Sequence, residues 1–142
     1  MTYAKGMPSD SQRLARSVVR LARRLRQERH TDLTPTQLTV LSTVMVMGPA
    51  TPSAIAAREG VRPPSVTRTL NCLADEGYIL RDRHPDDRRQ VLVRLSDKGE
   101  VLLEEERSRR NAWLDGRLSN LTVQERTTLR EASDLLERLA SE

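Results

Sequence analysis

The sequence predicts a mainly α-helical fold with one small β-hairpin, in the order α-α-α-α-β-β-α-α. Three observations predict it. Among 142 residues the aromatics are Trp113, Tyr3 and Tyr78 alone, with no Phe, so the core must come from Leu, Val and Ala, which favours packed helices over an aromatic-rich sandwich. Apolar residues recur at spacings of three and four through most of the chain. Two short runs, Tyr78 to Arg83 and Val91 to Leu95, carry strand character instead. A chain of this length makes one domain, residues 1–142.

Glycine and proline punctuate the elements. Between Ser9 and about Glu28, Leu14, Val18, Leu21 and Leu25 form one helical stripe, with Arg13, Arg16, Arg20, Arg23 and Arg24 around the rest of the circumference. Thr34, Pro35, Thr36 and Gln37 supply an N-cap, a proline at the first helical position and a capping-box partner. The helix they open turns Leu38, Leu41, Val44 and Met45 inward and ends at Gly48-Pro49. Thr51 and Pro52 repeat the device for a short helix through Ile55, Ala56 and Ala57 that stops at Gly60. Pro63 and Pro64 start the next, where their missing N–H groups are orphans anyway. Its inward stripe is Val66, Leu70 and Leu73, and Gly77 closes it.

The two strands follow, with Val91, Val93 and Leu95 alternating with Leu92 and Arg94. The connection from His84 to Gln90 holds no apolar residue except Pro85, which makes a hairpin with a polar tip. Ser96 caps a long helix through Val101, Leu102 and Leu103 and past Trp113 to about Leu118. Thr122 and Glu125 form a capping box for a last amphipathic helix with Leu129, Ala132, Leu135, Leu136 and Leu139.

Composition excludes several functions. The longest apolar run, Val44 to Met47, is far short of the roughly 20 residues that cross a bilayer. Met1 to Asp10 lacks an apolar stretch ahead of a small-residue cleavage site, so a cytoplasmic location is expected. Cys72 has no second thiol to pair with, and His30 and His84 are too few for a zinc finger, so neither a metal nor another cofactor is expected. No glycine-rich phosphate loop occurs and no Ser-His-Asp set can be assembled, which argues against an enzyme. The net charge of +4 is unevenly spread: residues 1–30 carry eight cations and two anions, and residues 96–142 eight and eleven. One side of the molecule thus faces a polyanion.

Two short helices meeting at Gly60, followed at once by a charged hairpin, make a winged helix-turn-helix over residues 34–95. Ala56 and Ala57 let the helices cross closely, Gly60 permits the sharp turn, and Val66 plugs the angle. With Val66, Leu70 and Leu73 inward, helical geometry puts Pro64, Thr67, Arg68 and Asn71 on the solvent face, flanked by Ser65. Those hydroxyl, amide and guanidinium groups suit a major groove. At the hairpin tip Arg88 and Arg89 can reach a minor groove, whose narrow walls concentrate negative potential, and Asp87 is placed to fix a guanidinium's direction.

The segments Val61 to Leu80 and Asp87 to Gly99 resemble the MarR family of bacterial transcriptional regulators, and the likeness runs from the first helix to the last. Its wing pattern is an Asp-x-Arg followed by alternating aliphatics and Leu-Ser/Thr. The resemblance implies that Arg89 is a minor-groove arginine oriented by Asp87, that Pro63 to Glu76 is a recognition helix, and that the first, fifth and sixth helices form a homodimer interface. It also implies a repressor that binds double-stranded DNA and releases it when a small aromatic or anionic ligand arrives. Arg20, Arg24 and Trp113 are the candidates for a ligand pocket, and the first helix holds no cysteine of the kind that peroxide-sensing relatives use.

The residues themselves also argue for a dimer on an inverted-repeat operator, since one helix-turn-helix makes few contacts and two copies double them. Leu14, Val18 and Leu21 at one end and Leu129, Leu135, Leu136 and Leu139 at the other have no obvious partner in the winged core. Intertwined helices of residues 9–30 and 97–142 would bury them; the two stripes packing on each other inside one chain is the alternative. A competing reading of the whole chain is a protein-interaction or membrane-surface module using the arginine-rich first helix, with DNA contact vestigial.

Overall fold

The computed structural model describes residues 9–141; the expectation drawn from Met1 to Asp10 falls almost wholly outside them. The elements are α1 (Asp10–Gln27), α2 (Pro35–Met47), α3 (Pro52–Glu59), α4 (Pro63–Asp75), β1 (Ile79–Arg83), β2 (Val91–Leu95), α5 (Asp97–Leu118) and α6 (Val123–Ser141). Local chemistry sets these bounds. Ser9 with Gln12, Thr34 with Gln37 and Thr122 with Glu125 close reciprocal capping boxes, and Thr51 and Ser96 accept from Ala54 N and Gly99 N. Helix α4 differs: its N-cap, Arg62, makes no side-chain bond. None is needed, because Pro63 and Pro64 remove the first two donors and Ser65 N already bonds Arg62 O at 3.1 Å.

Helix α2 lies at the centre, against α3, α4, α5 and β2. Its Leu41 and Val44 join Ile55, Val66, Leu70, Leu73, Ile79 and Val93 as the largest fully buried side chains. This central place overrides the amphipathic stripe. Val40 and Thr43 are buried as well, whereas Met45, expected inward, is 39% exposed beside α5. In α3 Ala56 is buried and Ala57 is exposed, so one small residue, not two, serves the crossing. Gly60 takes φ +67° to end α3, and Val61 N reaches back to Ala56 O at 3.1 Å.

Strands β1 and β2 pair antiparallel in the register Ile79↔Leu95 to Arg83↔Val91. The first strand starts one residue later than expected, because Tyr78 N closes α4 by bonding Leu73 O at 2.9 Å. Of the three alternating residues of β2, Val93 is fully buried, Leu95 half-buried and Val91 exposed. Ala50 adds a bridge to Val93 through two backbone bonds, 3.1 and 2.8 Å, that the sequence pattern did not signal. The hairpin is therefore anchored at its base and free at its tip.

The start of α5 is locked to the end of α4. Ser96 donates its hydroxyl to Gly77 O, and Ser96 N bonds Tyr78 O at 3.1 Å. A Cβ at Gly99 would collide with that Tyr78 carbonyl oxygen, so the backbone crossing requires glycine there.

Candidate nucleic-acid interface

Helix α4 turns Val66, Leu70 and Leu73 into the core and leaves Pro64, Ser65, Thr67, Arg68 and Asn71 exposed. Arg68 has no ion-pair partner among the described residues, so its guanidinium is open to an incoming acceptor. Asn71 is different: its Oδ1 accepts a hydrogen bond from the Arg81 guanidinium on β1. Sequence reasoning missed Arg81. Strand parity could have found it, since Ile79, Arg81 and Arg83 share one face of β1, and Ile79 on that face is buried.

This bond ties the outer face of α4 to the hairpin, whose two strands are further joined by Arg94 Nε on Asp82 Oδ2 at 2.7 Å. At the tip, Asp87 Oδ1 accepts from Arg89 N at 3.0 Å and from Arg89 Nε at 3.2 Å. The Arg89 side chain is 91% exposed, so the carboxylate aims it without covering it. Arg88 is exposed and makes no ion pair among the described residues. His84, another residue that sequence reasoning did not assign, accepts from Asp86 N and Asp87 N at 3.1 and 3.2 Å through Nδ1.

The terminal helices stand apart from this surface. Neither α1 nor α6 contains a buried residue. Leu14, Val18, Leu21, Leu129, Leu135, Leu136 and Leu139 all remain between 40% and 60% exposed, so the two stripes do not cover each other within the chain.

A cavity of about 430 Å³ opens where α1, α2 and α5 meet, lined by Leu25, Leu38 and Leu103 and by Arg26, Arg29, Arg107, Arg110 and Glu106 among others. Glu106 accepts from His30 N and from Arg109 with Oε1, while its buried Oε2 has no partner. Desolvation, with repulsion from Arg26 and Arg110 outweighing attraction to Glu106, holds the Arg29 guanidinium below its ordinary pKa. Arg20, Arg24 and Trp113 are not in this lining. Arg24 stacks over the Trp113 ring at 4.6 Å and pairs with Glu28 at 2.6 Å, and Arg117 lies 5.2 Å from the same ring. Trp113 thus joins α1 to α5. No helix among the described residues is long and apolar enough to cross a membrane.

Comparison with known proteins agrees with the fold. Residues 33–91 match the model of the MarR family. An HTH-type transcriptional regulator of Mycobacterium tuberculosis is 44% identical over 130 residues, 91% of this chain and 91% of that protein. The multiple antibiotic resistance protein MarR of Salmonella typhimurium is 35% identical over 99 residues, 69% of each. The structure of a mutant MarR from E. coli complexed with operator DNA superposes with a TM-score of 0.65 at 27% identity, covering 89% of this chain and 93% of that one. With its helix order, hairpin and likeness to these regulators over two thirds or more of its length, the chain belongs to the MarR family of transcriptional regulators, a class without enzymatic activity.

Proposed function

We propose that this regulator works in the cytoplasm as a homodimer on an inverted-repeat operator, with α4 in the major groove and Arg89 in the adjacent minor groove. The observation that carries the reading is the open α4 face of Pro64, Ser65, Thr67, Arg68 and Asn71, bonded through Arg81 to the hairpin that aims Arg89. Residues 34–95 form the DNA-binding region. The exposed stripes of α1 and α6 supply the two-fold interface, since aliphatic rows of this extent are stable in water only when covered. That the similar E. coli MarR mutant is complexed with operator DNA supports DNA as the partner of this chain.

Repression is the direction of control we assign, relieved by a small aromatic anion in the cavity at the α1–α2–α5 junction. Four arginines attract such a ligand, and the unpartnered Glu106 Oε2 would accept from a hydroxyl on it.

Selection of duplexes from a random pool tests the reading. It should return an inverted repeat whose log affinity falls steeply with log salt, because several phosphates per dimer are neutralised. Arg89→Ala should weaken binding to that duplex by about 1–3 kcal/mol per site, and Arg68→Ala should relax sequence preference more than Arg89→Ala does. Salt-independent affinity, or an unchanged Arg89→Ala, would overturn it. Addition of phenolic carboxylates to the complex should release the duplex; a complex indifferent to all of them removes the ligand from the scheme.

A further inference from the structure

We propose that His84 is the positioning residue of the wing, acting on Arg89 through Asp87. The inference rests on the proposed minor-groove role of Arg89. The neck of the tip is closed by His84 N on Gln90 O at 3.1 Å, and Gln90 N bonds Asp87 O at 3.0 Å. Inside that ring are two successive side-chain caps. The His84 imidazole accepts the N–H groups of Asp86 and Asp87, which fixes the backbone of residue 87. The Asp87 carboxylate then accepts the N–H and Nε of Arg89, which fixes the guanidinium.

The first cap has the geometry of an Asx or Ser/Thr turn, in which a short side chain accepts from backbone donors two and three residues onward. Here an imidazole does the same, and it can do so only with its Nδ1 lone pair free. The geometry therefore requires the neutral Nε2–H tautomer. Without the cap, two donors at an exposed tip turn to water, the loop samples more conformations, and Arg89 must be ordered when DNA binds rather than beforehand.

The test uses the full-length protein and the inverted-repeat duplex selected with the wild type. His84→Ala should weaken binding roughly tenfold, the scale of one net hydrogen bond, while leaving the dimer and its Tm unchanged. His84→Asn, whose side-chain oxygen can reach the same two N–H groups, should recover most of that loss. Nitrogen-15 spectra of the free protein should show the His84 Nδ1 unprotonated and Nε2 protonated. If Arg89→Ala weakens binding and His84→Ala does not, or if Asn fails where Ala fails, or if Nδ1 carries the proton, the positioning role is overturned. If Arg89→Ala itself has no effect, the minor-groove reading fails instead, and the relay has nothing to position.

Discussion

Helix α2 and the terminal helices show what one copy of this chain can and cannot complete. The 13 residues of α2 include five buried ones, whereas α1 with 18 and α6 with 19 include none. Both kinds of helix are capped and both carry aliphatic side chains, so propensity does not separate them. The difference is what surrounds them: α2 meets three helices and a strand of its own chain, while the apolar stripes of α1 and α6 meet water. Helix stability in proteins comes chiefly from packing an apolar face. The winged core is thus finished by its own sequence, and the arms are not; in the proposed homodimer a second copy covers them.

That contrast can be broken in three places. The largest effect belongs to the core: Leu41→Ala, at a site with no exposure, should cost about 3–5 kcal/mol of stability in chemical denaturation, with loss of the cooperative fold at 37 °C. The second belongs to the arms. Leu136→Glu, at a position 40% exposed in the single chain, should cost on the order of 3 kcal/mol per protomer if a second copy covers it, read as dissociation in sedimentation and as a Tm that rises with protein concentration. A dimer indifferent to that charge would mean that α6 lies outside the interface. The smallest is local: Thr122→Ala removes the cap of α6 and should lower stability by about 1 kcal/mol, without touching the core. An effect much larger than that would show α6 to be integral to the fold of one chain.

The sequence was most legible where chemistry acts within four residues. Thr34-Pro35-Thr36-Gln37, Thr51-Pro52, Ser96 and Thr122 with Glu125 each begin a helix where their hydroxyls would place it. The inward stripe of α4 follows from its spacing, and so does the exposure of Ser65, Thr67 and Arg68. The Asp87–Arg89 bond also lies within two residues, which is why it could be read at all. Met45 and Ala57 mark the limit, because a helix packed on several sides no longer has the single stripe that periodicity assumes.

The site itself was half legible. The exposed residues of α4 and the tip arginines could be named, but the side chains that connect and orient them could not. Asn71 looked like a free base-reading amide and is instead held by Arg81, ten residues away on another element. His84 looked like one more polar loop residue and instead caps the turn. The ligand candidates Arg20, Arg24 and Trp113 were chosen by type; the arginines that line the cavity are Arg26, Arg29, Arg107 and Arg110, brought together from α1, α5 and the loop after α1.

By itself the sequence determined the order of the elements, where the capped helices begin and which residues of α4 face outward, since caps, prolines, glycines and apolar spacing act on their own neighbourhood. Tertiary structure decided which groups meet across elements: Ala50 with Val93, Asn71 with Arg81, Gly99 with the Tyr78 carbonyl, and the four arginines around Glu106. Those pairings depend on how finished elements cross in space, and nothing within a few residues of sequence fixes that crossing.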